Sequence, residues 1–176
     1  MMLGEYFKDQ YFYELNRRDR MYRDLSLPFA ILVVLGTAVI RLADYIKMPF
    51  NVVDVTIAVL FCISVILLAL LIYTLWRSWA EHPYCYPAYA DKVKDYGQQL
   101  AGHYGDTDAQ AAAKLETQLK EFILAEYVRC ASRNAVLNDA RAEYVKWSKR
   151  IILILTVLVP SAYLVLAYVQ IWVPIQ

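Results

Sequence analysis

The sequence contains few of the residues on which catalysis and metal binding usually depend. Only two histidines occur in 176 residues, and neither His82 nor His103 has a second histidine, a cysteine pair or a carboxylate at ligand spacing. The sequence also lacks a glycine-rich phosphate loop, an HExxH motif and a Ser-His-Asp candidate. These absences exclude the common sequence patterns of metalloenzymes, phosphate-binding enzymes and serine hydrolases. We therefore expect a protein that is not an enzyme, with no catalytic residue, no cofactor and no metal.

Charge and cysteine are scarce as well. Charged residues make up 20% of the chain, and the net charge is +1. A balance so close to zero gives no overall positive field, so we expect no direct DNA binding. The three cysteines (Cys62, Cys85 and Cys130) are odd in number and far apart, which does not suggest a disulfide framework and favours a reducing compartment. Hydrophobic residues, by contrast, make up 60% of the chain, against roughly 45–50% in soluble domains.

The hydrophobic residues are concentrated in three long runs. A bilayer core about 30 Å thick needs about 20 helical residues to cross it, and the second and third runs exceed that length. The first run is shorter, and a buried or interfacial helix is the alternative interpretation for it, although its closeness to the second run favours a transmembrane hairpin. The runs extend from Leu25 or Leu27 to about Ile40, from Val52 to about Trp76, and from Ile151 to Ile175.

Lysine and arginine near the ends of the runs predict the orientation, because the cytoplasmic flanks of membrane helices are enriched in these residues. Four arginines precede the first run, and further basic residues follow the second run and precede the third, whereas the tail after Ile175 has none. We therefore expect the N-terminus and the middle region in the cytosol and the C-terminus outside. The predicted segments are an N-terminal amphipathic helix (1–24), a transmembrane hairpin (25–77), a cytosolic helical region (78–149) and a third transmembrane helix (150–176).

The middle region is predicted to be helical after an initial break. Pro83 and Pro87 interrupt the helix that leaves the second run, and a short helix is expected from Ala88 to Leu100. From Asp106 or Thr107 to Pro160 there is neither proline nor glycine, so one long helix should continue from the cytosol into the third run. The fold class is therefore an all-α membrane protein with three transmembrane helices and a helical cytosolic region.

The long helix carries an apolar stripe that must be covered. We expect it to pack on the short helix, on the N-terminal helix or on another copy of the chain, since an isolated stalk would leave the stripe in water. The stripe consists of Leu115, Leu119, Phe122, Ile123, Tyr127 and Cys130.

The stripe then turns polar at Asn134, Asn138 and Arg141, which share one helix face. Buried amide and guanidinium groups need partners. Repeated by symmetry in an oligomer, these three side chains would line the vestibule of a pore or bind an anionic ligand. Alternatively, they fix the register of helix packing, as a polar core residue does in a coiled coil, by pairing with Asp19 or Asp24.

Charges at the ends of the apolar runs have two interpretations. The charges before the first run either hold anionic lipid headgroups or set the topology. The charges at the end of the first run and at the start of the second run either lie at the membrane interface or line the mouth of a conduit. The first group is Arg17, Arg18, Arg20 and Arg23, and the second is Arg41, Asp44 and Asp54.

A short motif in the long helix resembles the Arg-Asn-x-x-x-His pattern of HEPN ribonucleases. Arg133 and Asn134 are followed by Asn138 and Asp139, so an amide or a carboxylate stands where the family has histidine. Without that histidine no general acid or base is available near neutral pH, and the likeness implies a degenerate HEPN-like helix without ribonuclease activity. The same motif is similar to the HEPN-like membrane accessory protein of type VI-B CRISPR systems, which assembles a membrane pore.

The layout of the first half also resembles the SLATT-type small membrane effectors of bacterial conflict systems. The resemblance rests on a charged N-terminal helix ending in Asn16-Arg17-Arg18-Asp19-Arg20, a membrane hairpin and a helix leaving the second span. It implies a bacterial inner-membrane protein that self-associates and forms a pore or perturbs the membrane in antiviral defence. The third span departs from a two-span SLATT layout.

The functional expectation is therefore an oligomeric membrane effector gated by a cytosolic defence protein or a nucleotide signal. Its expected partners are membrane lipids and further copies of the chain. The alternative is a non-conducting adaptor that anchors a soluble defence enzyme at the bilayer, and a third interpretation is a HEPN-like ribonuclease.

Overall fold

The computed structural model describes residues 3–45, 52–80, 83–104 and 109–172. All regular secondary structure in these residues is α-helical: α1 (Leu3–Asp24), α2 (Ser26–Ala43), α3 (Val52–Trp79), α4 (Ala90–Tyr104) and α5 (Ala109–Trp172). Three helices are long and apolar enough to cross a membrane. The predicted all-α fold with three transmembrane helices is therefore confirmed.

α5 is a single helix of 64 residues, which confirms that the last helix continues from the polar region into the third apolar run. Pro160 lies inside α5 without ending it, because neighbouring helices and local adjustments of a membrane helix can accommodate the lost backbone hydrogen bond. The predicted start of this helix at residue 106 or 107 lies outside the described residues. α4 begins at Ala90 rather than at Ala88 and extends to Tyr104, beyond the predicted end at Leu100.

Contacts divide the chain into two compact units. Unit 1 comprises Met1–Arg20 and Glu81–Ala140, and unit 2 comprises Met21–Ala80 and Arg141–Gln176. These units differ from the four consecutive segments predicted from the sequence, because each unit combines parts of the chain that are distant in sequence. α1 and α5 contribute residues to both.

Unit 2 is a bundle in which α2 and the apolar part of α5 run in one direction and α3 runs in the other. At one end, the Ser148 hydroxyl donates a hydrogen bond to Thr74 Oγ1 at 2.9 Å. At the other end, the Tyr163 hydroxyl donates to the Ala38 carbonyl oxygen at 2.7 Å. The start of α2, the end of α3 and the residues before Ile151 therefore lie at the same end of the bundle, as three successive crossings require.

The core of the bundle consists of aliphatic side chains from all three helices. Two clusters follow each other along it, one at each end. The first contains Leu25, Leu35, Val39, Leu71, Leu75, Val145, Ile151, Leu155 and Val159, and the second contains Leu42, Ile57, Ala162 and Leu166.

Most apolar side chains of the three helices nevertheless face away from this core. Only 17% of the most apolar stretch of α3 is buried, and 28% of the corresponding stretch of α5. Val33 of α2, Ile66 of α3 and Leu164 of α5 are each at least 60% exposed. Such a surface would be unfavourable in water, whereas hydrocarbon chains solvate it without cost.

Leu155→Ala should destabilise unit 2, because the side chain of Leu155 is fully buried between the helices. In a bilayer the exposed apolar groups contact lipid and not water, so the substitution loses packing contacts but little hydrophobic free energy. The free energy of unfolding should therefore fall by about 2 kcal/mol, at the lower end of the range for soluble cores. The measurement is the free energy of unfolding in mixed micelles. Leu164→Ala is the matched control, since Leu164 is 70% exposed. Equal destabilisation by both substitutions would contradict the proposed bundle core.

Candidate functional site

The centre of unit 1 is a non-helical segment, residues 83–89, which we call the strap. Pro83 and Pro87 keep the strap out of helical conformation, because each proline lacks an N–H and restricts the residue before it. A backbone outside helices and sheets needs other partners for its N–H and C=O groups. In unit 1 those partners are side chains of α5.

Four residues of α5 at four-residue spacing form what we call the column: Glu126, Cys130, Asn134 and Asn138. Side chains at this spacing lie one above the other along a helix. Every member of the column contacts the strap or one of its side chains, in reverse sequence order. The column thus packs on a non-helical segment, where a second helix or a strand would be the more usual partner of a helix.

Asn134 makes the most regular of these contacts. The Cys85 N–H donates to Asn134 Oδ1 at 2.9 Å, and Asn134 Nδ2 donates to the Cys85 carbonyl oxygen at 3.0 Å. One fully buried amide therefore satisfies both backbone groups of one strap residue. Neighbouring contacts extend the arrangement in both directions: the Tyr84 hydroxyl donates to Asn138 Oδ1, and the Ala88 N–H donates to Glu126 Oε2 at 3.1 Å.

Asn138 connects the column to α1 through Glu14. Its Nδ2 donates to the Glu14 carbonyl oxygen at 2.8 Å and to Glu14 Oε2 at 2.9 Å. The Glu14 side chain is 3% exposed, and Arg17 NH1 lies 3.5 Å from Oε2. A buried carboxylate is unfavourable unless hydrogen bonds and a counter-charge replace its water shell. Asn138 and Arg17 supply both.

Two of the three arginines of α1 in unit 1, Arg17 and Arg18, are held by groups of the same unit. Arg17 NH2 donates to Asp139 Oδ1 at 2.7 Å, and this hydrogen bond raises the pKa of the Arg17 guanidinium. Arg18 donates to Asp19 Oδ1 at 2.9 Å and to the Tyr86 hydroxyl at 3.1 Å, and its guanidinium carbon lies 5.1 Å from the centre of the Tyr84 ring. Both side chains therefore contribute to the packing of α1 on the rest of unit 1.

Glu126 is the one column member with a strong cation partner. Arg129 Nε and NH2 donate to its two oxygens at 3.1 and 2.8 Å, the paired geometry that favours guanidinium–carboxylate contacts. These hydrogen bonds lower the pKa of the Glu126 carboxyl group. A lowered pKa in the folded state means that Glu126 stabilises unit 1 above the ordinary glutamate pKa, and that this contribution is lost as the pH falls below it.

Cys85 and Cys130 are brought together, which the sequence did not lead us to expect. Their Cα atoms are 4.8 Å apart, within the range of disulfide-bonded pairs, and the structure pairs the two sulfur atoms. The sequence did not indicate this proximity, because 45 residues separate the pair and only the packing of the strap on α5 makes them neighbours. Cys62 remains a free, exposed cysteine of α3.

The apolar stripe of α5 is covered from two sides. Tyr11 of α1 contacts Tyr127 with ring centres 5.6 Å apart, and burial raises the pKa of Tyr11. Tyr96 of α4 contacts Phe122 with ring centres 4.6 Å apart. The N-terminal helix and the short helix are therefore both partners of the stripe within the chain.

Arg141, the third member of the predicted polar face, belongs to unit 2. Its side chain is 2% exposed, and NH2 donates to the Ala80 carbonyl oxygen at 2.9 Å. The guanidinium carbon lies 5.0 Å from the centre of the Tyr22 ring. Carbonyl groups that follow the last turn of a helix have no partner within it and carry partial negative charge. Arg141 thus caps the end of α3.

The predicted polar face is buried, but its members bind groups of the same chain. For Asn134 and Asn138 the hydrogen-bond partners are Cys85, Tyr84 and Glu14 in place of the predicted Asp19 or Asp24. This geometry agrees with the interpretation in which the polar residues fix helix packing. Asn134 and Asn138 could line a vestibule only if the strap moved away from the column.

The four residues of the HEPN-like motif do not converge on one point. Arg133 is exposed, whereas the adjacent Asn134 is buried on the strap. Asn138 is buried on Glu14, and the side chain of Asp139 is 70% exposed and pairs with Arg17. The two asparagines of the motif are therefore buried in unit 1, whereas Arg133 and Asp139 lie at its surface.

The remaining interface charges lie at the surface. Arg20 is exposed with its guanidinium carbon 5.7 Å from the Tyr13 ring centre, and Arg23 is exposed at the end of α1. The side chains of Arg41 and Asp44 are 74% and 66% exposed and 3.9 Å apart. The side chain of Asp54 lies outside the described residues.

Sequence reasoning missed the strap contacts of Glu126 and Cys130 and the role of Glu14. The four-residue spacing of Glu126, Cys130, Asn134 and Asn138 was a usable signal, because these positions share one helix face and their carboxylate and amide groups can bond to backbone N–H and C=O groups. Glu14 lies on the same face of α1 as Tyr11, three residues before it, but a carboxylate is rarely buried, so the position alone did not indicate burial.

Asn138→Ala should destabilise unit 1 by about 1–3 kcal/mol, because it removes two hydrogen bonds to Glu14 and leaves a buried carboxylate undersatisfied. Asn138→Asp should cost more, since it places a second carboxylate against Glu14. Chemical unfolding of the full-length protein in detergent measures both. Asn16→Ala is the matched control on exposed surface and should stay within about 0.5 kcal/mol of the parent. If Asn138→Ala has the same free energy of unfolding as the parent, the column does not hold α1.

Reduction of the Cys85–Cys130 pair should lower the stability of the purified protein. A disulfide that closes a loop of 45 residues lowers the conformational entropy of the unfolded chain. In the chain-entropy description this raises the free energy of unfolding by about 4 kcal/mol. The comparison is unfolding with and without reductant for the parent, for Cys85→Ser/Cys130→Ser and for Cys62→Ser. Reductant should affect the parent and Cys62→Ser but not the double variant. An oxidised parent that is insensitive to reductant would refute the pairing.

No family model, curated protein or solved structure matches this chain. The likeness to SLATT effectors and to HEPN-like membrane accessories thus stays a prediction from layout and from one short motif. What the chain shows by itself is an all-α protein with three helices able to cross a membrane and a helical unit organised around the strap and the column.

Proposed function

We propose that this chain is a self-associating effector of the bacterial inner membrane, which perturbs the bilayer or forms a pore when a cytosolic signal acts on unit 1. The signal would be a defence protein or a nucleotide, and the setting antiviral defence. The observation that carries the proposal is a set of large aromatic side chains that unit 1 leaves uncovered. They are Tyr6, Phe12, Tyr13, Tyr86 and Tyr89, with exposed fractions between 46% and 73%.

Uncovered aromatics on a folded polar unit indicate a protein contact, because tyrosine and phenylalanine are enriched in interfaces and unfavourable in water. Tyr6 and Tyr13 are seven residues apart on α1, so they lie on the same face of that helix. Phe12 lies beside Tyr13 on the same helix. A second copy of α1 is a natural partner for this face, since self-association would bury the same aromatics on both copies.

Self-association would bring several unit 2 bundles into one membrane assembly. Each bundle has mostly outward-facing apolar side chains, so copies can pack against each other or against lipid with little difference in hydrophobic energy. Unit 1 therefore carries the specificity of assembly in this proposal, and unit 2 carries the effect on the bilayer.

A specific observation favours the second candidate, the non-conducting adaptor. The side chains proposed to line a vestibule, Asn134, Asn138 and Arg141, are buried and bonded within one chain. In an adaptor the exposed aromatics of unit 1 would bind a soluble enzyme instead of another copy. Replacing the apolar helices of unit 2 by unrelated membrane helices preserves an adaptor's function and abolishes that of an effector.

The full-length protein in liposomes should release an entrapped dye at protein-to-lipid ratios at which crosslinking detects oligomers. Tyr6→Ala/Tyr13→Ala should lower both release and oligomer formation, because it removes the aromatic face of α1. Tyr6→Phe/Tyr13→Phe is the matched control and should retain both, since the rings remain. Fluorescence dequenching and crosslinked band sizes are the two measurements.

The two measurements also separate the candidate functions. A protein that stays monomeric in the bilayer and releases no dye contradicts the effector and leaves the adaptor. Oligomers that form equally well in the alanine variant would show that α1 does not carry the assembly.

A further inference from the structure

Two open grooves on the surface of unit 2 share one residue, Lys149. Each has a volume of roughly 500 Å³. The first groove is lined by Met21, Ala142, Val145, Lys146, Lys149, Arg150 and Leu153. The second is lined by Arg23, Asp24, Leu27, Pro28, Ile31, Lys149 and Ile152.

Both grooves lie where the polar part of the chain meets the apolar part. Lys149 and Arg150 are the last charged residues before the uncharged stretch from Ile151 to Ile175, and Arg23 and Asp24 directly precede the apolar part of α2. In each groove basic side chains therefore adjoin aliphatic ones. A phospholipid presents its groups in the same order, with the phosphate at the interface and the acyl chains below it.

The first groove has a clear positive excess. Lys146, Lys149 and Arg150 lie on one face of α5 at positions three and four residues apart, and Leu153 follows on the same face. The Lys146 ammonium is 3.3 Å from Glu143, but both side chains are more than half exposed, and such surface pairs contribute little. In the second groove Asp24 offsets one of the two basic groups.

Arg150 is additionally held against an aromatic ring. Its guanidinium carbon lies 5.1 Å from the ring centre of Trp147, which is 51% exposed. Tryptophan is enriched at the level of lipid headgroups, and stacking on it keeps an arginine at that level. The position of Trp147 thus agrees with headgroup contact by the neighbouring basic residues.

We propose that this part of unit 2 is a binding site for one anionic phospholipid, with its phosphate at Lys149, its headgroup in the first groove and an acyl chain along the second groove, where Leu27, Ile31 and Ile152 belong to the apolar runs. Lysine binds phosphate as a point charge, and Lys149 is the only residue that lines both grooves. Lys146 and Arg150 add charge that a zwitterionic headgroup would not use. The site does not depend on oligomerisation or on a pore.

The test is native mass spectrometry of the full-length protein in neutral detergent, titrated with phosphatidylglycerol or phosphatidylcholine. The parent should retain one phosphatidylglycerol in preference to phosphatidylcholine. Each basic residue near an anionic lipid contributes roughly fivefold in affinity, so Lys146→Gln/Lys149→Gln/Arg150→Gln should weaken phosphatidylglycerol binding about 100-fold. The control Lys92→Gln/Lys94→Gln/Lys114→Gln changes the net charge equally at exposed positions of unit 1 and should bind as the parent does.

A second pair of variants tests the groove without changing its charge. Met21→Trp fills the first groove and should lower lipid retention, whereas Met21→Leu should not. Millimolar inorganic phosphate should not displace the lipid, because the acyl chains also contribute to binding. Equal retention of the two lipids by the parent, equal loss in both glutamine triples, unchanged retention in Met21→Trp, or displacement by phosphate would each overturn the proposal.

Discussion

The structure depends on one constraint: inside a bilayer no water is available to bond with the backbone, so every N–H and C=O group must find its partner within the protein. Three apolar runs meet this constraint as helices, and their side-chain hydroxyl groups donate to carbonyls of the preceding turn, as Ser64 and Thr156 do at 2.8 and 2.7 Å. The direct contacts between helices in unit 2 are then chiefly aliphatic, with the Ser148–Thr74 and Tyr163–Ala38 hydrogen bonds at its two ends.

Unit 1 meets the same requirement in a different way. Its strap is too short and too rich in proline to satisfy its own backbone, so buried side chains of α5 do it instead. Asn134 is the clearest case, since one amide bonds both backbone groups of Cys85. A buried polar network of this kind is stable only when all its members are satisfied, and it specifies one arrangement of its segments. Any signal that frees the strap would therefore expose several polar groups at once, which makes the strap and the column the natural place for a switch in the proposed effector.

Much of the fold could be predicted from the sequence. The length and composition of the apolar runs identified three membrane helices, and the absence of glycine and proline from residue 106 to 159 identified one continuous α5. The polar positions Asn134, Asn138 and Arg141 were also recognised as buried. Their partners could not be predicted, because Cys85 and Glu14 approach α5 only after the chain has folded back on itself, and a carboxylate such as that of Glu14 is rarely buried. For the same reason the proximity of Cys85 and Cys130 was not foreseen.

The central proposal is that the chain crosses the membrane three times and that its polar middle region lies on the cytosolic side. Labelling of intact cells with a membrane-impermeant maleimide tests it most directly, using Lys114→Cys in a background without the native cysteines and, separately, a cysteine tag placed after Gln176. The account predicts that the cysteine at position 114 reacts only after the cells are opened, whereas the tag reacts from outside. Labelling at position 114 in intact cells, or recovery of the protein in the soluble fraction without detergent, would contradict it.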